Sequence, residues 1–285
     1  MPQIDNNHPR IVVIGDYMTD IWWCVTPQGA SQDSGCPRYG AGDVIEMPGG
    51  AGNVAKNLSL MGAEVLQIGE STPKSHRNCK HRLYTVENRT QVVRWDENDY
   101  SEPIYTTELG QILDFDPHLI IISDYAKGAV TNEVVQWLLT RTRTPLFVDT
   151  KRGPRQYTAF TDRELVLFPN MPEYLAEEEL YNTFPSVLLK KGRLGAELLD
   201  RGRKVAEAPA TCPHPKSTCG AGDIVIATTA YLAAQQSPVV LDRGQANLEH
   251  IMTIVGESID ASNFTCQIKE IRQAHRINPY SRGRT

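Results

Sequence analysis

No run of about 18 apolar residues, the length a helix needs to cross a bilayer, occurs in this chain. A helical membrane span is therefore excluded. Residues 1–10 are polar and lack the apolar core of a secretory signal, so a cytoplasmic protein with no membrane partner is expected. A basic excess is missing too. The formal net charge is −5, whereas a dedicated nucleic-acid binder needs a cationic face to neutralise phosphates. The basic run over 272–285 reads as a solvated tail. The six cysteines show no C-x-x-C pair and no finger-like Cys/His spacing, which leaves reduced structural thiols as the expected state. Repeats, low-complexity tracts and inter-domain linkers are absent as well. Its 285 residues allow one large domain or two small ones, and 40% hydrophobic and 22% charged residues are ordinary for a globular protein with a core. With no linker in the chain, a single domain over 1–285 is expected.

What is present is a rhythm of short apolar runs that each end on polar residues. Ile11–Ile14 runs into Gly15 and Asp16, Leu119–Ile122 into Ser123 and Asp124, and Leu146–Val148 into Asp149, Thr150 and Lys151. Leu165–Phe168 ends at Pro169 and Asn170, and Val187–Leu189 at Lys190. Continuous β-branched runs of this length suit strands buried on both faces. Helical patterns over 53–61, 132–140, 173–180 and 224–235 alternate with them. The expected fold class is α/β, a doubly wound, mostly parallel sheet flanked by helices. Ligands of such sheets bind beyond the carboxyl ends of the strands, where Asp16, Asp124, Lys151, Asn170 and Lys190 all fall. Two segments break the rhythm, 21–47 and 84–95, and read as a small β lid. Trp22 and Trp23 in the first are expected to pack rather than to stack on a ligand.

Two glycine-rich turns carry the chemistry. Ser217-Thr218-Cys219-Gly220-Ala221-Gly222-Asp223 precedes an apolar helical run. Small residues let the backbone approach a ligand, and the free N–H groups of a helix start favour an anion. Asp223 beside that cradle suits a base that deprotonates a hydroxyl, although the same letters also describe a plain helix start with a capping acid. Cys219 at that position could have a depressed pKa and be reactive, or could simply fill a small polar position. Earlier, Pro48-Gly49-Gly50-Ala51-Gly52-Asn53 opens another helix, with Asn53 as its expected cap and a donor to a ligand hydroxyl. The Walker ending Gly-Lys-Ser/Thr is missing, and the glycine spacing does not match the dinucleotide fingerprint.

Together, Gly49–Ala55 and Thr218–Asp223 resemble the two signatures of the ribokinase-like (PfkB) carbohydrate kinases. Four further segments, 13–20, 123–128, 149–153 and 169–173, are similar to the kinase domain of the heptose 7-phosphate kinase/adenylyltransferase branch. The resemblance is collinear from about Ile11 to Asp260. It implies transfer of a phosphoryl group from ATP to a sugar hydroxyl, with Mg²⁺, and a sugar phosphate and ATP as small-molecule partners. It implies Asp223 as the base, and Gly220, Ala221 and Gly222 as the anion hole. Asp16, Gly49, Gly50 and Asn53 would line the sugar side. Asn170 and Glu173 would organise the nucleotide phosphates and their Mg²⁺, with Glu173 meeting the metal indirectly. Lys190, Gly192 and Gly195 fall where the family's nucleotide loop runs, and Asn247 lies near the base. Lys151 and Lys127 are added here as phosphate contacts. Simpler readings stand beside these: Asp16 as a turn cap, Asn170 and Glu173 as a helix cap and first-turn acid, the two lysines as solvated charge.

The chain departs from the family in three places. Cys219 stands where a Thr is usual, and Thr228 where a small residue is usual. One α/β element is shortened near residues 70–82. The Ser/Pro-rich segment of the heptose branch is replaced by 28–38. These departures motivate an alternative, a catalytically weakened protein that binds sugar or nucleotide as a regulatory or partner subunit. A nucleoside or cofactor kinase of the same fold is a third class. Pairing of two copies through the lid strands is also expected.

Overall fold

The computed structural model describes residues 8–69, 77–85, 87, 90–160, 163–212, 219–235, 249 and 252–253. The first strand, β1 (Arg10–Gly15), shows how the fold organises itself. Its side chains alternate between the two faces of the sheet. Ile11 and Val13 enter one apolar core with helices α1 (Ala51–Met61) and α6 (Ala221–Gln235). Val12 and Ile14 enter a second core on the other face, with α2 (Gln111–Phe115) and α3 (Asn132–Arg141). Strand β7 (Leu119–Asp124) divides in the same way, Leu119 and Ile121 against Ile120 and Ile122. A strand buried on both faces has no polar side to show, which is why these runs read as continuously apolar.

Strands β4 (Glu64–Ile68), β8 (Leu146–Thr150), β9 (Leu165–Leu167), β10 (Val187–Lys190), β11 (Ala196–Asp200) and β12 (Arg203–Ala208) complete an eight-stranded sheet in the order β12-β11-β10-β9-β8-β7-β1-β4. Pairing is parallel from β4 through β10 and antiparallel at β10–β11 and β11–β12. The mostly parallel, doubly wound expectation holds. Strands β4, β11 and β12 carry no continuous apolar run and were not expected. They lie at the sheet margins, where half-exposed strands tolerate Glu64, Gln67, Asp200 and Lys204. The helix expected over 173–180 is two short helices, α4 (Met171–Ala176) and α5 (Glu178–Tyr181), because Glu177 leaves helical geometry between them (φ −139°).

A second sheet of four strands runs β3-β2-β5-β6. It is built from β2 (Tyr17–Ala30), β3 (Pro37–Gly50), β5 (Cys79–Thr85) and β6 (Thr90–Glu97). The lid sheet is thus wider than 21–47 and 84–95: it starts directly after β1, and the strand-like stretch before Trp95 is two antiparallel strands. Trp22 is buried edge-to-face on Tyr84 at 5.7 Å, as expected for packing, whereas Trp23 is exposed on the opposite face. The shortening expected at 70–82 falls largely on 70–76, outside the described residues. The basic tail also lies outside them. Among the described residues no helix is long and apolar enough to cross a membrane.

Candidate active site

Strand β1 hands the chain to the lid across a tight junction. The Asp16 N–H donates to the Ser123 carbonyl at 3.0 Å, and a Cβ on Gly15 would sit 2.0 Å from that same oxygen. Only glycine lets the two strand ends come this close. Asp16 is fully buried, and both its carboxylate oxygens accept backbone N–H bonds. Oδ2 takes Tyr125 N at 2.7 Å and Lys127 N at 3.1 Å, and Oδ1 takes Ala129 N at 3.0 Å. Asp16, expected on the sugar side, has its carboxylate met by these backbone donors. Its carboxylate organises the loop after β7, because a buried charge must be met by donors and these N–H groups are the ones at hand.

Helix α6 begins at the second glycine-rich turn. Gly220 is in left-handed geometry (φ 77°), and the first bond that closes the helix runs from Ile224 N to the Gly220 carbonyl at 3.1 Å. The N–H groups of Ala221, Gly222 and Asp223 precede that bond and form the positive end of a 15-residue helix. Asp223 is buried in this first turn. Its Oδ2 accepts from Asn53 Nδ2 at 2.7 Å, and its Oδ1 from the Tyr125 hydroxyl at 2.8 Å. Burial raises its pKa to about 6, against the two hydrogen bonds, which favour the charged form. Asn53 is not a helix cap: Gly50 holds that place with no side-chain cap bond, and Asn53 lies inside α1. The two glycine-rich turns thus meet at one hydrogen bond between residues 170 positions apart.

On the other side of the turn, Lys190 at the end of β10 pairs with Asp149 at the end of β8, and its Nζ lies 3.5 Å from where a Cβ on Gly222 would be. Asp149 also accepts from Lys151 Nζ at 3.4 Å. Burial works to raise the Asp149 pKa, but the charges of Lys190 and Lys151 hold it below the usual value. Lys151 reaches on to Glu173 at 2.5 Å. Asn170 and Glu173 form a reciprocal cap of α4: Glu173 N donates to Asn170 Oδ1 at 2.9 Å, and Asn170 N to Glu173 Oε2 at 2.9 Å. The structural reading of this pair is realised, and it leaves their carboxylate and amide at the rim of the same crevice as Lys151. Gly192 (φ 58°) has open space where a side chain would be, while Gly195 is required by packing, since its Cβ would meet the Ala208 carbonyl at 2.0 Å. Lys127 does not join the crevice; its ammonium pairs with Asp99 beyond β6. Asn247 lies outside the described residues, as do Ser217 and Thr218.

The lid adds residues that the motifs did not single out. On the face carrying Asp20, Trp22 and Cys24, the cross-strand partners of Asp20 and Trp22 are Lys80 and Arg82, and Arg82 faces Arg94. Arg82 donates to Asp20 Oδ1 through Nε at 3.1 Å and Nη2 at 2.9 Å. Gly49 packs on that acid, since a Cβ there would come 2.6 Å from Asp20 Oδ2. Cys219, at the turn that opens α6, lies within electrostatic reach of Asp20, Arg82, Asp223 and Arg94. Burial first, then the Asp20 charge, raises the Cys219 thiol to about 11. The helix start does not make it a reactive thiolate. Thr228 is fully buried with its hydroxyl unpartnered, inside α6. Asp20, in the 13–20 segment of the resemblance, could have been found from the period of β2, which puts it on the face of Trp22; Arg82 comes from β5 and joins it only through strand pairing. Tyr125 lies in the 123–128 segment of the resemblance, but nothing in that segment singles out its side chain.

Among the described residues no three His, Cys, Asp or Glu side chains converge as a metal cage. No family model matches the chain. It is 29% identical over 282 residues to the bifunctional protein HldE of Campylobacter jejuni subsp. jejuni serotype O:2, covering 82% of this chain and 58% of that protein. With the protein of the same name from Pseudomonas paraeruginosa it shares 26% identity over 87% of this chain and 60% of that one. The chain therefore spans about three fifths of the length of these relatives. Among solved structures it is similar to phosphofructokinase-2 from Escherichia coli in complex with potassium (TM-score 0.65, 15% identity, 93% of this chain and 97% of that). It is also similar to ribokinase from Thermotoga maritima (TM-score 0.62, 13% identity, 94% and 99%). Over most of its length the chain is similar to the bifunctional HldE proteins, and it is built on the fold shared by these two solved kinases.

Proposed function

We propose that this protein transfers the terminal phosphoryl group of ATP to a hydroxyl of a sugar phosphate. Heptose 7-phosphate, on the way to ADP-heptose for lipopolysaccharide precursors, is the substrate the motif resemblance implies. The observation that carries the reading is Asp223, a buried carboxylate in the first turn of α6 beside N–H groups that precede the helix ladder, with Lys190 alongside. The substrate hydroxyl gives its proton to Asp223 as its oxygen bonds to the terminal phosphorus, and the bond from that phosphorus to the bridging oxygen breaks, releasing ADP. Such a reaction asks for positioning and charge stabilisation. Gly220, Ala221 and Gly222 supply the backbone for the first, Lys190 a charge for the second. Lys151, Asn170, Glu173 and Gly192 line the nucleotide side of the crevice. Asp20 and Asn53 take the sugar side, with Gly49 and Gly50 giving the close approach. Arg82 and Arg94 on the lid face fit a substrate that already bears a phosphate. Mg²⁺, when bound, neutralises the nucleotide phosphates. Glu173 already shares its carboxylate with Asn170 and Lys151, which fits a metal held through phosphates and water.

A second reading, a binding partner or regulatory subunit with little transfer, draws on Cys219 and Thr228 beside the turn. One experiment separates the two: ATP, Mg²⁺ and a panel of sugars and sugar phosphates, with the protein and its Asp223→Asn variant. Turnover by the protein, lowered about 10²–10⁴-fold in the variant, is expected for a general base. Nucleotide binding without transfer to any acceptor would support the second reading. We also propose that two copies pair through the exposed lid face, which carries Trp23, Val44, Val93 and Trp95.

A further inference from the structure

The loop from Asp124 to Ala129 is built at unusual expense in backbone conformation. Ala126 adopts left-handed geometry (φ 59°) although it is not glycine, and Gly128 (φ 118°) leaves no room for a side chain, since its Cβ would stand 2.8 Å from the Ser101 carbonyl. Such conformations persist where the surroundings over-determine them. Here two buried aspartates do so. Asp16 binds the N–H groups of Tyr125, Lys127 and Ala129, and Asp124 Oδ1 binds that of Ala126 at 2.9 Å. Asp124 is itself anchored through Oδ2 by the Thr150 hydroxyl at 2.9 Å and Arg152 Nε at 2.7 Å. The outcome of this clamping is the placement of one side chain. The Tyr125 ring lies under the Lys151 ammonium, 5.7 Å from its centroid, and its hydroxyl is 2.8 Å from Asp223 Oδ1.

We propose that Tyr125 is a positioning residue for Asp223, and that Asp16 sets it in place through the loop. This rests on the reading of Asp223 as the base. Asn53 holds one carboxylate oxygen and Tyr125 the other, so the group cannot rotate, while each oxygen keeps a second lone pair to meet a substrate hydroxyl. Burial, then the charges of Asp223 and Asp149, pushes the Tyr125 hydroxyl well above its ordinary pKa. It therefore stays protonated and donates, and does not compete with Asp223 for the substrate proton. Its donated bond also favours the charged carboxylate against the burial that opposes it. A purely packing role would need only the ring.

Tyr125→Phe keeps the ring and removes the bond. On the intact protein we expect kcat to fall about tenfold, KM for ATP to stay within about twofold, and the acidic limb of the kcat profile to move up by about one pH unit. Asp16→Asn, with folding followed by circular dichroism, is expected to move the limb in the same direction. A ¹³C NMR titration of the aspartate carboxyls reads the same effect without turnover. The Asp223 resonance, identified by its loss in Asp223→Asn, should titrate near pH 6 in the natural protein and higher in Tyr125→Phe. A superimposable profile and an unmoved resonance, with Asp223→Asn inactive, would overturn this inference and leave the base reading standing. Full turnover by Asp223→Asn would remove both.

Discussion

Asp223 is held between opposing effects: the burial that lifts its pKa to about 6 makes it a usable base and also makes its charge costly. Its folded value lies above the ordinary aspartate value of about 3.9. The folded state then binds the proton more tightly than the unfolded one, so the group's contribution to stability is fully present below about pH 4 and is lost as pH rises through about 6. Asp223→Asn, by removing that charge, is predicted to be more stable than the natural protein at pH 8 by on the order of 1–3 kcal/mol, with the gap closing towards pH 4. Urea denaturation at the two pH values measures it. An equal gap at both would show that the site's stability does not depend on the charge. For the proposed transfer with Asp223 as base, turnover is predicted to have the opposite slope, falling as pH drops through about 6 because a base must be unprotonated. At this scale, the helix start at Asp223 was legible from small residues before an apolar run, while the letters alone left open whether its acid caps the helix or meets a ligand. The partners of Asp16 were not legible, because a strand-end acid looks the same whether it meets a ligand or the backbone of a loop.

The lid is the element in which charge and packing are most closely joined. Asp20 and Arg82 form an ion pair across β2 and β5 with about nine tenths of each side chain buried. The Arg82 guanidinium also lies 5.2 Å from the Trp22 ring centroid. Removing one partner leaves the other charge buried and unmatched. Arg82→Met is predicted to destabilise the protein by up to about 3 kcal/mol, and Asp20→Asn combined with Arg82→Met to recover most of it. Denaturant titration of the two single variants and the double variant decides; additive losses would mean that the pair is not coupled. The lid was only half legible. Val44–Met47 and the Thr/Val-rich stretch before Trp95 gave strand composition, but the parallel pairing of β2 with β5 joins segments far apart in the chain. No local pattern records such a pairing.

Across the whole molecule, the lid carries the Asp20 and Arg82 pair on one face and turns the other outward. The outward face aligns Val44, Trp23, Leu83 and Val93 in register across the four strands. Trp23 is 37% exposed and Trp95 43%, which is high for side chains of this size in a paired sheet. His81 lies between them, stacked 4.7 Å from Trp95 and accepting from Trp23 Nε1 at 3.1 Å, so the aromatic row is held rigid. A rigid apolar row rimmed by Glu46 and Glu97 suits a second copy of the same surface. Sedimentation equilibrium is predicted to give a dimer that Trp23→Glu converts to a monomer. A monomeric natural protein at tens of micromolar would refute pairing through the lid.

Sequence alone determined the layered α/β architecture, because a strand buried on both faces must be apolar throughout and a helix buried on one face must repeat at its own period. It also marked the two turns on which the proposed chemistry rests, since close backbone approach to an anion demands residues without bulk. Tertiary structure decided which acid does what. Asp16 and Asp20 are four residues apart, yet one is met by the backbone N–H groups of a loop and the other by the Arg82 guanidinium of the lid. Tyr125 became a neighbour of Asp223 only when β7 and α6 came together. Those roles depend on which donors surround a buried charge, and such donors come from distant parts of the chain that meet only in the folded molecule.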